Sequence, residues 1–283
     1  MPELLFIIGL QKSGTSLLNR MLMSENSVTN PFLPEGKFFW GDDPPFNPEL
    51  APSGVLFQQH QGKHGHALNA SAFKIEDQDL LQQRIEAADV STPILMNKNP
   101  YNTVRIEWMK QLFPHCRIVC MVRHPLANVF SLYKKYFDHP HRGLAPEDGW
   151  WGTKPNHWQD LVCEDKLKQS AQQWLAVNQQ VMAHAQDIDL IIKYDQLCAQ
   201  PDQQLSHILQ MCGVYQIDNQ YSDLTNLDDE YLRGSRLLSK NRELRNNPDF
   251  KLKDMQEAVE LPALTASQIQ MIEDICLNVW QQF

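Results

Sequence analysis

The sequence has few cysteines, and their spacing carries no motif. Six cysteines are scattered over 283 residues, and none stands in a C-x-x-C pair, which excludes the commonest zinc and thiol-redox signatures. Several lie in apolar runs, where a reduced cysteine behaves as a small hydrophobic residue. We therefore expect free thiols and a reducing, cytoplasmic compartment.

Long apolar runs and excess positive charge are also missing. The first apolar run, Leu4–Ile8, is too short for a signal peptide. No run approaches the roughly 18–20 residues that cross a bilayer, so we expect no membrane span. The net charge of −9 argues against nucleic acid as the main partner. It does not exclude a small anionic ligand, and it leaves the oligomeric state open.

Short apolar runs alternate with longer helical patterns along the chain. The predicted strands are Leu4–Ile8, Pro93–Met96, Arg117–Val122 and Asp189–Ile192, and the predicted helices cover 14–25, 75–88, 102–113, 125–137, 165–186, 202–212 and 266–281. The alternation is typical of an α/β fold of the P-loop type, with three layers (α/β/α) around a central parallel sheet. We expect a single domain over 1–283, with long capping segments at 26–70, 138–160 and 226–262.

The first strand leads into a loop that is typical of phosphate binding. Gly9 and Gly14 have the spacing of the nucleoside triphosphatase loop, but Thr15 follows Gly14 and the only lysine, Lys12, lies inside the turn. The loop amides and the helix N-terminus still suit a phosphate. Without a lysine after Gly14, we expect an anion shorter than a triphosphate and no Mg²⁺. The candidate contacts are Gln11, Lys12, Ser13, Gly14, Thr15 and Ser16.

A second candidate anion site follows the third predicted strand. Arg123 is expected as the last residue of that strand, at its carboxyl edge, and Ser131 and Lys135 are four residues apart on one helix face. An arginine fork, a hydroxyl and an ammonium group suit a phosphate dianion. Alone, Arg123 could equally be a surface arginine. Together with the loop, it indicates a nucleotide with phosphates at both ends of its ribose.

These two motifs resemble those of a known family. Leu10-Gln-Lys12-Ser-Gly-Thr-Ser16 is similar to the 5′-phosphosulfate loop of sulfotransferases, and Arg123-x7-Ser131 to their 3′-phosphate motif. The resemblance covers about residues 4–195, and 95–136 look particularly like tyrosylprotein sulfotransferases. It implies 3′-phosphoadenosine 5′-phosphosulfate (PAPS) as donor, its desulfated form (PAP) as product, in-line sulfuryl transfer and no metal.

The resemblance also implies roles for single residues. Lys12 would polarise the bond between the 5′-phosphate and the sulfuryl group, and Lys98 resembles the lysine of the family's Lys-x-Pro motif. Tyr194 resembles a tyrosine that contacts the nucleotide. Glu35, before an aromatic pair, resembles the catalytic base of the heparan and tyrosylprotein branches. The rival bases are the histidines His60, His64 and His66, which could also be read as a metal cluster.

Two further segments stay open to more than one interpretation. A late basic run could clamp the 3′-phosphate or form a solvated helix face; its candidate contacts are Arg233, Ser235 and Lys240. Three tryptophans, Trp150, Trp151 and Trp158, could form a wall for the acceptor or anchor their loop on the core.

The acceptor and two other classes of protein also remain open. We expect a hydroxyl-bearing (or amine) acceptor, either a small molecule, a lipid or a peptide. The alternatives to a sulfotransferase are a P-loop kinase of a nucleotide or small molecule, and a binding module without catalysis. The kinase needs a lysine after Gly14, and Lys12 and Glu35 count against the module.

Overall fold

Parallel strands form the centre of the computed structural model, which describes residues 2–32, 36–40, 65–137, 149–219, 221 and 263–283. Its strands are β1 (Glu3–Ile8), β2 (Val28–Thr29), β3 (Ile94–Lys98), β4 (Arg117–Val122) and β5 (Leu190–Lys193). Its helices are α1 (Thr15–Met23), α2 (Lys37–Trp40), α3 (Ile75–Ala87), α4 (Ile106–Leu112), α5 (Pro125–Tyr133), α6 (Lys166–Ala183), α7 (Tyr194–Ala199), α8 (Pro201–Met211) and α9 (Ala266–Trp280).

The strand order places β1 in the middle of the sheet. The order is β2-β3-β1-β4-β5, and every pairing is parallel. Ile7 is in register with Lys98 of β3, and Ile8 with Cys120 of β4. The carboxyl ends of the three central strands therefore meet at one edge of the sheet, where parallel α/β folds bind ligands.

Alternate residues of each strand pack on opposite faces of the sheet, as a pleated strand requires. Phe6 and Ile8 face a cluster built with α2, α3 and α4. Leu5 and Ile7 face a second cluster, built with α1, α7 and α8. These strand residues are almost fully buried, so both faces are covered and the predicted α/β/α layering is confirmed.

A third apolar cluster lies beyond these two layers. It joins α5, α6 and α9 through buried side chains that include Val129, Trp174 and Ile272. Leu10 of the phosphate loop packs into the same cluster. The helical cluster therefore supports the loop at Leu10.

The ends of several elements differ from the sequence prediction. β3 continues to Lys98, which was expected just after the strand, whereas β4 stops at Val122, so Arg123 follows it and is not its last residue. The helix predicted over 102–113 begins as a 3-10 turn, Pro100–Val104. The short helix α7 was not predicted. Helix α9, predicted over 266–281, begins with a capping box formed by Thr265 and Gln268.

Within the described part of the chain, no helix combines the length and apolar character needed to cross a membrane. The extension of one domain over all of 1–283 stays a prediction.

The junction between β1 and the loop gives a stability prediction. Gly9 has a φ of +139°, and a Cβ there would lie 2.4 Å from the carbonyl oxygen of Met121 on β4. Gly213 also has positive φ (+80°), but a Cβ there would meet nothing within 4 Å. We expect Gly9→Ala to lower the free energy of unfolding by roughly 1–3 kcal/mol more than Gly213→Ala, because only Gly9→Ala adds a clash. Urea unfolding of both variants measures the difference, and equal losses would contradict the clash.

Candidate active site

The phosphate loop takes a conformation that needs glycine at both ends. Its first amide, Gly9 N–H, donates to Thr103 Oγ1 at 2.8 Å, and Gly14, with φ of +108°, caps α1. Between them Lys12 has a φ of +70°. A non-glycine residue held there stores roughly 1–3 kcal/mol of strain, which the surroundings must offset. Such strain at a loop is a frequent property of functional sites.

Three groups from other elements hold the strained turn. Asn128 of α5 donates its amide N–H to the carbonyl of Gln11 at 2.9 Å. The Thr153 backbone N–H donates to Gln11 Oε1 at 3.1 Å. Arg123 Nη1 donates to the carbonyl of Lys12 at 3.2 Å. The backbone of Lys12 is therefore fixed on both sides.

Arg123 belongs to the second predicted anion site and also contacts the loop of the first. Its guanidinium stands over the ring of Tyr194, 4.4 Å from the ring centroid, in the range of a cation–π contact. The Tyr194 ring also packs on the loop, since a Cβ at Gly14 would lie 2.5 Å from it. Apart from the N–H bonded to Lys12, the Arg123 donors have no hydrogen-bond partner in the described residues. These donors are available to an anion.

Lys98 approaches the loop from the other side of β1. Its side chain is only 3% exposed, so it is not a surface lysine at a strand end. Its Nζ donates to Ser16 Oγ at 3.3 Å, in the first turn of α1. A buried ammonium group beside a helix N-terminus concentrates positive charge at that point. The phosphate loop is thus flanked by Lys98 on β3 and by Arg123 after β4.

The structure places Ser131 and Lys135 at the end of the helical segment that follows Arg123. Ser131 lies in the last part of α5, and Lys135 lies in the 3-10 turn Lys134–Tyr136 that continues it. Both are half-buried. Their contact with a phosphate stays a prediction.

Several predicted site residues lie outside the described part of the chain. They are Glu35, His60, His64, Arg233, Ser235 and Lys240. The neighbour of Glu35 is placed, however: Asn97 of β3 donates its amide N–H to the carbonyl of Gly36 at 3.1 Å. Gly36, the residue after Glu35 in sequence, is therefore attached to the strand that carries Lys98.

His66 has a structural environment. It is 5% exposed, its ring stacks on Tyr101, and its Nδ1 accepts the backbone N–H of Lys154 at 2.7 Å. Burial, and then the charges of Arg105 and Lys154, lower the pKa of His66 well below 6.5. The neutral imidazole of His66 therefore links the segment 65–68 to the segment 152–158. Because its Nδ1 already accepts a hydrogen bond, His66 is a weaker candidate for the catalytic base.

The tryptophan segment is mostly an anchor. Trp150 and Trp158 are buried and pack edge to face, with ring centroids 5.7 Å apart. The Trp150 indole N–H donates to the carbonyl of Thr153 at 3.1 Å. Of the two interpretations, the structure supports the anchor for Trp150 and Trp158, because these rings fill the interior of their own segment. Trp151 is half-buried and packs against the helical cluster.

In the ranges that the structure covers, no group of three or more His, Cys, Asp or Glu side chains is arranged to hold a metal ion.

Sequence reasoning missed the residues that hold the site together. Thr103, Asn97, Asn128, Thr153 and Trp174 each bond to a backbone or side-chain group far away in the chain. Two of them have a sequence signal, their proximity to the motifs: Asn97 adjoins Lys98, and Asn128 lies between Arg123 and Ser131.

Comparison with known proteins gives one consistent result. The model of a family described as the sulfotransferase family matches residues 2–218. A sulfotransferase from Mycobacterium avium is 13% identical with a TM-score of 0.52, covering 100% of this chain and 77% of that chain. The sulfotransferase domain from the curacin biosynthetic pathway is 20% identical with a TM-score of 0.49, covering 97% of both chains. A search of curated proteins finds no match. At these identities, the structural likeness concerns the fold alone.

The burial of His66 predicts a pH dependence of stability. Below about pH 6.5 the unfolded chain binds a proton at this position that the native chain does not. We therefore expect wild-type stability to fall with falling pH, with His66 contributing up to about 1.4 kcal/mol per pH unit. In His66→Gln this contribution is absent, so the loss between about pH 7.5 and about pH 5.5 should be smaller. Urea unfolding at both pH values tests this, and parallel losses in the two proteins would show that His66 does not titrate in this way.

Proposed function

The chain belongs to the sulfotransferase family, and we propose that its sulfuryl donor is PAPS, bound across the loop 9–16 and the end of β4. The acceptor would be a hydroxyl or an amine. The observation that carries this proposal is the convergence of Lys98, on β3, and Arg123, just after β4, on a loop whose only lysine is Lys12.

The loop would bind the 5′-phosphate. Its backbone amides at the start of α1 and the positive end of the helix suit a phosphate without further help. The proposed contacts are Gln11, Lys12, Ser13, Gly14, Thr15 and Ser16. Lys98, next to Ser16, would lie on the side of the sulfuryl group.

The end of β4 would bind the 3′-phosphate. Arg123 has N–H donors to spare and is held in place by Lys12 and Tyr194. Ser131 would add a hydroxyl and Lys135 an ammonium group. Tyr194 would act next to the nucleotide, and Arg233, Ser235 and Lys240 remain the proposed late contacts.

Sulfuryl transfer by in-line displacement forms a bond from sulfur to the acceptor oxygen as the bond from sulfur to the 5′-phosphate oxygen breaks. Negative charge grows on the leaving phosphate and the sulfuryl oxygens, so fixed positive groups there lower the barrier. Lys12 and Lys98 would supply that charge, which makes a metal unnecessary in this proposal. Glu35 would accept the proton of the acceptor hydroxyl.

No observation favours a kinase. A triphosphate-binding lysine belongs after Gly14, where this chain has Thr15. The cations near the loop come instead from Lys12, Lys98 and Arg123. The proposed acceptors remain a small molecule, a lipid or a peptide, and we propose a cytoplasmic protein that acts without nucleic acid.

Ligand-induced stabilisation tests the donor. We expect PAP to raise the melting temperature more than ATP with Mg²⁺ at equal concentration, because the loop and Arg123 fit phosphates at both ends of one ribose. At 100 times its Kd, PAP should add about 2.7 kcal/mol of stability. A thermal-shift titration measures both, and stronger stabilisation by ATP with Mg²⁺ would favour the kinase.

The role of Lys12 has its own test. We expect Lys12→Ala to reduce turnover by about 10²–10³ or more, because a fixed cation at the breaking bond is lost. PAP should still bind, since the loop amides remain. Transfer of labelled sulfate from PAPS and PAP thermal shifts measure the two effects. The matched control is Lys168→Ala on the exposed face of α6, which should keep full turnover; near-normal turnover of Lys12→Ala would refute the assignment.

A further inference from the structure

The backbone carbonyl of Arg123 lies between two regular elements. The β4–β5 pairing ends at Val122, in register with Lys193. The α5 ladder starts with the bond from Asn128 N–H to the carbonyl of His124. The junction is also bent, since His124 has non-helical dihedrals and Pro125 begins the helix. Regular structure alone therefore fixes the Arg123 carbonyl poorly.

Trp174 of α6 supplies a donor to this carbonyl. Its indole Nε1 lies 3.2 Å from the Arg123 oxygen. The Trp174 side chain is fully buried in the helical cluster of α5, α6 and α9. A buried indole N–H needs a partner. The Trp174 N–H finds it in the backbone of Arg123, the residue whose guanidinium donors are available to an anion.

Two further contacts of Arg123 restrain its side chain. Nη1 bonds to the Lys12 carbonyl, and the guanidinium plane rests over Tyr194. Both contacts depend on the position of the Arg123 Cα, because a shift of the backbone moves the whole guanidinium group. A displacement of about 1 Å in a positioning group is enough to cost a large part of its effect.

We propose that Trp174 is a positioning residue for recognition of the 3′-phosphate. Its indole N–H fixes the Arg123 backbone, so that the free N–H donors of the guanidinium point at that phosphate. This inference rests on the proposed function, in which Arg123 binds the 3′-phosphate of PAPS. Helix α6, which carries Trp174, would then help to distinguish PAP from adenosine 5′-phosphate, which lacks the 3′-phosphate.

A packing role and a positioning role make different predictions. If Trp174 only fills the core, its loss lowers stability and weakens both nucleotides alike. If it positions Arg123, its loss weakens PAP more than adenosine 5′-phosphate, because only PAP uses Arg123 fully. The ratio of the two Kd values therefore separates the roles.

The chain offers a matched control for removing a buried indole N–H. Trp150 is as buried as Trp174, and its Nε1 also donates to a backbone carbonyl, that of Thr153. Thr153 in turn contacts Gln11 of the loop, on the 5′-phosphate side. Any effect of Trp150→Phe on binding should thus be shared by both nucleotides.

The experiment is calorimetric titration of wild type, Trp174→Phe and Trp150→Phe with PAP and with adenosine 5′-phosphate. We expect the preference of the wild type for PAP to fall about five- to tenfold in Trp174→Phe, the effect of one hydrogen bond. In Trp150→Phe the preference should be unchanged. If Trp174→Phe does not fold, the same ratio is measured with benzothienylalanine at 174, which keeps the bicyclic shape and lacks the N–H.

The outcomes separate this inference from the proposed function. A wild type that prefers PAP, with the same preference in both variants, overturns the role of Trp174 and leaves the donor site intact. A wild type without preference for PAP overturns the 3′-phosphate site at Arg123, and the inference with it. A loss of preference confined to Trp174→Phe supports both.

Discussion

The placement of β1 between β3 and β4 is the constraint on which the site depends. Parallel pairing on both sides fixes the register at Ile7 with Lys98 and at Ile8 with Cys120. A shift of one residue would send the side chains of a strand to the opposite face, and the apolar clusters on both faces forbid it. The buried ammonium group of Lys98 and the guanidinium of Arg123 therefore reach the phosphate loop from opposite sides.

The loop itself is held in a conformation that its own sequence does not favour. Lys12 occupies the left-handed region, and the groups that keep it there, Asn128, Thr153 and Arg123, come from distant parts of the chain. The folded protein thus orders the loop before any ligand arrives. A site built in advance loses little entropy on binding, which is the usual benefit of preorganisation.

The sequence predicted what local patterns encode. The strand, loop and helix at 4–25, the doubly buried strand Arg117–Val122 and the cap of α9 all have short-range signatures, and the structure contains them. α7 was missed because a six-residue helix is too short for a periodic pattern. Resemblance to a family placed Lys98 near the site, but its burial comes from the packing of the sheet and could not be read from its neighbours in sequence.

The supporting contacts could not be predicted because they join residues far apart. The bond from Thr153 to Gln11 spans 142 residues, and that from Trp174 to Arg123 spans 51. No spacing rule links such positions. The two buried tryptophans show the same limit. The sequence of an aromatic loop does not tell whether its rings face a ligand or pack on each other, as Trp150 and Trp158 do.

The position of the Tyr194 ring between Gly14 and Arg123 limits which substitutions this chain tolerates. The ring fills the space that a Cβ at Gly14 would need, and it lies beneath the guanidinium of Arg123. A smaller residue at 194 would leave the arginine without its support, and a larger one at 14 would push the ring into it. We therefore expect positions 14, 123 and 194 to vary together. A substitution at one of them is tolerated only when the residues at the other two accommodate it.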